Sequence, residues 1–421
     1  MKYLTLTLMV LSYVQSSLLD MKSTINNTKL DPEDNDANKS IKKICSEYGF
    51  EVQEHKVTTA DGYILTLFRV PGYFYQTFVD PIKKPVVLMQ HGIDGDASNW
   101  MLNSQEVAHV FVLVRQGYDV WLGNNRGNQY SMEHETLDLN DPGQKYDFWH
   151  FSFEEMGLND LPAQIDYILK TTGQEKLSYV GHSMGTTQMF IGASMKNDYF
   201  KQKINLFIAF APIARMSHVY SPLMKTISSQ SGLIEKLLVD LGLYNLFAPN
   251  WLMDQITAKF CDTTLGGMIC KQFFQTFTDM DASVDNLKRV ETYLTHTPSG
   301  SGYRNFIHYA QIINSNRFAR YDLGYDMNSL RYNSTIPPLY PLEQIKGIPI
   351  ALFVGQLDVL STVIDADWLN QQLGDNVVYY KQYKLGHQSF LIAKDMSFFT
   401  VDAMNLIQKY ATNSFSSNFL Q

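Results

Sequence analysis

The chain has 421 residues, 45% hydrophobic and 18% charged, and its 34 lysines and arginines against 42 aspartates and glutamates leave a net charge of −8. An average soluble protein is about 25% charged, so this chain is lean in charge, while its 13% aromatic content excludes a disordered polymer. The acidic balance excludes a nucleic-acid binder, which needs a basic face, and three cysteines exclude a disulfide scaffold or an all-cysteine zinc site.

Lys2 opens the chain, residues 4–14 form an uncharged and mostly apolar run, and Ser16 and Ser17 follow as small residues. That is the three-part pattern of a secretory signal over residues 1–17. The run is too short to cross a bilayer, which needs about 20 apolar residues. No later stretch is apolar enough, so no transmembrane span is expected. Residues 18–40 (ending DPEDNDANKS) are polar and acidic and predict a disordered segment. In a secretory context the sequons at Asn26, Asn38 and Asn333 are candidate glycan sites. Three pairings of Cys45, Cys261 and Cys270 exist; Cys261 and Cys270 stand nine apart, close enough for a local loop, which would leave Cys45 free.

From residue 41 to about 213, apolar strands alternate with helices. Residues 86–90 (VVLMQ), 118–123 (YDVWLG), 177–180 and 204–212 read as buried strands. Residues 161–173 (LPAQIDYILKTTG) read as a helix closed by glycine, with Leu161, Ile165, Ile168 and Leu169 on one face. The alternation stops over residues 214–342. Their first part is helical and rich in Leu, Phe, Trp and Met; their second, residues 303–340, is rich in Tyr and Asn and reads as irregular. Strands resume at 348–355 and 376–383, within a closing core segment, 343–410, and a tail, 411–421, follows. Fully apolar strands separated by helices predict a mostly parallel sheet covered on both faces. The expected architecture is an α/β core split by an inserted, mainly helical cap.

One segment carries chemistry. Gly181-His182-Ser183-Met184-Gly185 is a G-x-S-x-G pentapeptide between a strand and a helix-like run, residues 186–195. In that context the glycines permit a sharp turn that lifts the serine hydroxyl above the sheet, facing a helix N-terminus. A serine hydroxyl is a poor nucleophile without a base and an orienting acid. In α/β-hydrolases these follow in the order serine, acid, histidine. Of the later histidines, His218, His296 and His308 fall in the cap region, whereas His387 sits in a loop after the strand at 376–383. The strand at 348–355 runs directly into Gln356-Leu357-Asp358, which makes Asp358 the acid; Asp365 and Asp367 read as solvated or helix-capping. Backbone N–H groups of Met184 and of Ile93, in HGIDGDASNW, are the expected oxyanion donors. His91 and His182 are read as bracing residues. No metal-ligating cluster, Walker A or dinucleotide motif occurs, and no cofactor is called for.

HGIDGDASNW, YDVWLGNNRGNQYS, the long motif ending in VGHSMGTT, and GQLDVLSTVIDAD…LGHQSF resemble the acid lipases, the group of lysosomal acid lipase and gastric lipase. The resemblance runs from about residue 41 to 410. It implies an α/β-hydrolase fold, a triad of Ser183, Asp358 and His387, oxyanion donors at Ile93 and Met184, and a Cys261–Cys270 bridge in the lid. Two departures stand out: Met184 where the family commonly has Gln, and Ser361-Thr362-Val363 where it commonly has Ala-Asp-Pro. The implied function is hydrolysis of neutral lipid esters, triacylglycerol or sterol ester, at a lipid–water interface and at acid pH. The implied compartment is secreted or lysosome-like, and a monomer is the expected state. The segment 233–277 would form an acyl pocket and lid. A small-ester carboxylesterase, a thioesterase or peptidase, and a non-catalytic lipid-binding protein on the same fold are the competing readings.

Overall fold

The computed structural model describes residues 36–37, 39–74, 84–248 and 281–416. Helix α1 (Ile41–Glu47) opens the core, its first turn capped by the Ser40 side chain, which accepts from the Lys43 N–H. Asp36 is buried, and the Arg289 guanidinium donates to its carboxylate at 2.7 Å.

Eight strands form the main path of one sheet. They are β1 (Gln53–Thr58), β2 (Tyr63–Val70), β3 (Val86–Gln90), β4 (Asp119–Leu122), β6 (Leu177–His182), β7 (Ile204–Phe210), β10 (Ile350–Gly355) and β11 (Val377–Tyr383). A two-residue strand, β5 (Glu133–His134), pairs with β2 off that path. The order is β1-β2-β4-β3-β6-β7-β10-β11, antiparallel at the β1-β2-β4 end and parallel from β4 to β11. The antiparallel end was not foreseen; β1 (QEHKVT) alternates exposed and covered residues, as an edge strand facing water on one side does.

The two-residue period of the strands separates two cores. Val86, Leu88, Tyr179, Phe207 and Leu352 pack on one face, and Val87, Met89, Val180, Ile208 and Phe353 on the other. Helices α2 (His109–Arg115), α3 (Leu161–Thr172), α4 (Met184–Met195) and α5 (Asn197–Lys203) cover this sheet. Helix α3 ends as its sequence predicts: Gly173 takes a left-handed conformation at φ 65° and donates to the Leu169 carbonyl. Leu161, Ile165 and Ile168 are fully buried, with Leu169 partly so.

Between β7 and β10 lie the helices α6 (Pro222–Ser229), α7 (Ser231–Asp240), α8 (Val290–His296), α9 (Tyr303–Ser315) and α10 (Tyr325–Tyr332), with a small ladder of β8 (Asn245–Leu246) and β9 (Ser301–Gly302). The reading of residues 303–340 as irregular is corrected here. Helix α9 has thirteen residues, and Tyr303, Phe306, Ile307 and Ala310 form a buried stripe at helical spacing. Tyr and Asn dominated the composition and masked that periodicity. The His308 ring stacks on Phe153 of the core at 4.2 Å between centroids, and Tyr309 and Thr187 of α4 share a hydroxyl hydrogen bond of 2.8 Å. Beyond β10, α11 (Val363–Leu373), α12 (Ser389–Ile392) and α13 (Met404–Ser416) complete the described chain. Among the described residues no helix is long and apolar enough to cross a membrane.

Candidate active site

Ser183 sits between β6 and α4 with φ 53° and ψ −120°, a conformation that costs a non-glycine residue strain. The neighbouring glycines make it reachable. A Cβ on Gly185 would lie 2.3 Å from the Gln90 carbonyl oxygen of β3, and one on Gly181 would lie 2.8 Å from the Gly185 carbonyl carbon. The turn is locked by the Ser183 N–H, which donates to the Phe210 carbonyl at 3.1 Å, and by the Ser183 carbonyl, which accepts from the Thr186 N–H at 2.8 Å. The side chain therefore stands at the carboxyl end of the parallel strands, at the start of α4.

The chain brings two distant groups to it. His387 Nε2 lies 2.8 Å from Ser183 Oγ, and His387 Nδ1 lies 2.8 Å from Asp358 Oδ2. The consistent proton assignment is Nδ1–H donating to the carboxylate and the serine hydroxyl donating to Nε2. Asp358 follows the end of β10. Its Oδ1 accepts from the Leu360 and Ser361 N–H groups, each at 2.8 Å, and its side chain is wholly buried. The loop carrying His387 is tied to β10 by the Leu357 N–H, which donates to the Leu385 carbonyl at 2.9 Å.

The loop after β3 closes the other side. A Cβ on Gly92 would lie 3.2 Å from Ser183 Cβ and 3.6 Å from Oγ, so the loop backbone runs directly beside the hydroxyl. His91 braces it: Nε2 accepts from the Asn125 N–H at 3.1 Å, which leaves Nδ1–H to donate to the Gly92 carbonyl at 2.7 Å. Burial pushes the His91 imidazole down to about 4, so it is neutral at ordinary pH. Ile93 and Met184 are both buried. Asp94 follows, 4% exposed; its carbonyl accepts from the Ser299 N–H of the cap at 2.8 Å. Burial raises its carboxyl to about 6, opposed by its own N–H and by His387.

The remaining histidines are committed elsewhere. His218 Nδ1 is 3.0 Å from Asp365 Oδ1, His296 faces the Thr292 and Lys39 carbonyls, and His308 faces Ser152 Oγ and the Ala319 carbonyl. Of the two readings of Asp365, solvated or helix-capping, burial removes the first: it lies in the first turn of α11, its N–H donating to the capping Thr362 side chain, and is paired with Arg215 and His218. Asp367 is exposed. Cys45 is free and buried, its thiol pushed up to about 12 by burial. Cys261, Cys270, Asn26 and Asn38 lie outside the described residues, as does most of the 233–277 segment; Asn333 is exposed at the end of α10.

One contributor, Ser361, escaped the sequence, whereas His182, read as a bracing residue, is seen to hold the backbone of His387. The His182 Nε2–H donates to the His387 carbonyl at 2.9 Å, fixing the backbone of the residue opposite. Ser361 donates its N–H to Asp358 and its hydroxyl to the Pro212 carbonyl at 2.6 Å, so it ties the acid's loop to the end of β7. Only its position three residues after an acidic strand end hinted at the first of these bonds.

A serine on a strained strand-to-helix turn, with an imidazole and a carboxylate in series at the carboxyl edge of a mostly parallel sheet, defines an α/β-hydrolase. Family models match accordingly: the partial alpha/beta-hydrolase lipase region over residues 41–104 and the alpha/beta hydrolase fold over residues 85–229. The chain belongs to the acid lipase family. It is 37% identical to lipase member K of Homo sapiens over 364 residues, 86% of this chain and 88% of that one. It is 36% identical to gastric triacylglycerol lipase of Mus musculus over 371 residues, 87% and 91% of the two chains. It is 34% identical to lysosomal acid lipase/cholesteryl ester hydrolase of Homo sapiens over 390 residues, 91% and 93%.

Proposed function

We propose that this acid lipase family member is a serine ester hydrolase that cleaves triacylglycerol, sterol ester or both through an acyl-enzyme. The observation that carries the reading is the unbroken series Ser183 Oγ, His387, Asp358, with both hydrogen bonds at 2.8 Å. The substrate class rests on the relatives, two of which are named for triacylglycerol and for cholesteryl ester.

In this mechanism Ser183 Oγ attacks the ester carbonyl carbon as its proton passes to His387 Nε2. Asp358 keeps the imidazole in the productive tautomer and balances the imidazolium. The carbonyl oxygen takes the negative charge and is held by the N–H groups of Ile93 and Met184, each such donor being worth about 3–4 kcal/mol in comparable sites. The carbon–oxygen bond to the alcohol then breaks, and His387 returns the proton to the leaving oxygen. Water attacks the acyl-enzyme with His387 again as base, releasing the acid and restoring the serine.

Substrate would arrive from the cap side. On and just after α7 the side chains of Leu237, Leu241 and Leu243 are 50%, 61% and 50% exposed, an apolar face suited to a lipid surface. The lid itself, within residues 233–277, lies largely outside the described residues. The division into core (41–213 and 343–410) and cap (214–342), the signal at 1–17, a secreted or lysosome-like destination, an acid optimum, the Cys261–Cys270 bridge and a glycan on Asn333 belong to the same proposal.

The test compares emulsified long-chain triacylglycerol and sterol ester with a soluble short-chain ester across pH. Preference for the emulsions supports the lipase reading. A strong preference for the soluble ester would remove that reading while leaving the ester hydrolase one.

A further inference from the structure

The loop that carries Ile93 also carries a carboxyl group that the mechanism above does not use. Asp94 is 4% exposed, and its Oδ2 is completely buried with no hydrogen-bond partner among the described residues. The buried carboxylates of Asp358 and Asp160 are paired, the first with two backbone N–H groups and an imidazole, the second with the Arg126 guanidinium. Asp94 is placed where an unpaired charge has consequences. It follows Ile93 in the chain, two residues beyond Gly92, whose backbone runs beside Ser183, and its carbonyl is fastened to Ser299, so the loop cannot readily turn the side chain out.

The titratable groups around it can be named. From the β11–α12 loop, the charge of the His387 imidazole reaches the Asp94 carboxyl. On its own loop, His91 is turned to Asn125 and the Gly92 carbonyl, and Asp96 accepts from Ser98 N–H, Gln129 Nε2 and Ser299 Oγ. From the cap side, the segment against it presents Ser299, which is not titratable in this range. From β6, His182 is neutral and donates to the His387 carbonyl.

We propose that Asp94 is a pH-dependent brake on the hydrolysis, permitting reaction when its carboxyl is protonated and opposing it when ionised. The inference rests on the serine-hydrolase reading of Ser183 and His387. A negative charge next to Ile93 repels the oxyanion that forms there during both acylation and deacylation. It adds little to the imidazolium, whose counter-charge is already Asp358 at 2.8 Å. Protonated, the carboxyl puts no charge beside the oxyanion. Burial raises the Asp94 carboxyl to about 6, which sets where the brake engages.

The experiment is the pH profile, from 4 to 8, of the full-length protein and of Asp94→Asn, which keeps the shape and removes the titration. Two readouts are used: kcat/KM on a soluble ester, and the rate of Ser183 phosphonylation by a serine-directed phosphonate. The expected result is that the ratio of rates at pH 7.5 to pH 4.5 rises at least fivefold in the variant in both readouts, with the limb near pH 6 gone. Asp94→Ser, a smaller neutral residue, should move the ratio in the same direction if Asp94→Asn does not fold. An unchanged ratio in a folded neutral variant overturns the brake, as does a loss of rate at every pH. Absence of phosphonylation at Ser183 in the parent protein would instead overturn the serine-hydrolase reading.

Discussion

The Nε2–H of His182 donates to the main-chain carbonyl of His387 at 2.9 Å, so the residue before the serine holds the backbone of the imidazole that faces the serine. One short segment therefore sets both sides of the Ser183–His387 hydrogen bond. The His182 imidazole is fully buried; burial first, then the charge of His387, holds it well below its ordinary pKa, so it stays the neutral donor that this bond requires.

Replacing His182 by Phe removes the donor and strands a buried carbonyl. The expected cost is about 1–3 kcal/mol of stability. The expected kinetic signature is a 10- to 100-fold fall in kcat with a much smaller change in KM, because a 1 Å misplacement of a reacting group has an effect of this order. Steady-state kinetics on a soluble ester and urea unfolding read the two effects separately.

Ser183→Ala should reduce kcat by about 10⁶ with little change in thermal stability, since among the described residues the hydroxyl's partner is the imidazole. Asp358→Asn should cost about 10⁴ by favouring the wrong tautomer of His387. Turnover by Ser183→Ala within 100-fold of the parent would show that another group carries the reaction.

Gly185→Ala forces a methyl group against the Gln90 carbonyl, 2.3 Å from where Cβ must sit. The obstacle is strand backbone, so relief requires moving β3 or α4. A loss of at least 1–3 kcal/mol is expected, together with a fall in kcat as the serine is displaced. Denaturant melts and kinetics of the same preparation provide the check.

The buried Asp94 carboxyl also affects stability, apart from any effect on rate. Its value of about 6 in the folded protein exceeds the ordinary 3.8, so between these pH values the native state binds more protons than the unfolded chain. Stability is therefore lost as pH rises from about 4 to about 6. That difference is worth roughly 3 kcal/mol at neutral pH. Asp94→Asn should gain stability relative to the parent at pH 7 and lose that advantage at pH 4, which paired urea titrations measure.

Glu154 clasps the cap to the core: its Oε1 accepts from Arg320 Nε at 2.9 Å and its Oε2 from the Tyr340 hydroxyl at 2.5 Å. Glu154→Ala leaves the Arg320 guanidinium without its carboxylate, part-exposed at 22% of its side chain. A loss of about 2–4 kcal/mol is expected, at or below the range for breaking a buried pair. Limited proteolysis should reveal loosening of residues 303–340 before global unfolding.

Strands β3, β4, β6, β7 and β10 and helix α3 were legible in the chain because local rules govern them: continuous apolar runs, a helical stripe and a terminal glycine. The G-x-S-x-G turn was legible for the same reason, since the close approach of Gly185 to β3 leaves room for nothing larger. Helix α9 was not, because polar and aromatic residues stand among its buried ones, and only packing against Phe153 and Thr187 shows that His308 and Tyr309 lie inside.

By itself the sequence determined the α/β order of elements, the position of the serine, and a short choice of histidines and acids. Tertiary structure decided which of them meet. His387 is 204 residues from Ser183 and 29 from Asp358, and their contact exists because β6, β7 and β10 lie side by side with their carboxyl ends together. It also decided what burial does to a side chain: Asp358 accepts from two backbone N–H groups and faces the His387 imidazole, whereas Asp94 Oδ2 has no partner among the described residues. Solvation and hydrogen-bond partners are properties of the folded surroundings, and no local pattern in the chain encodes them.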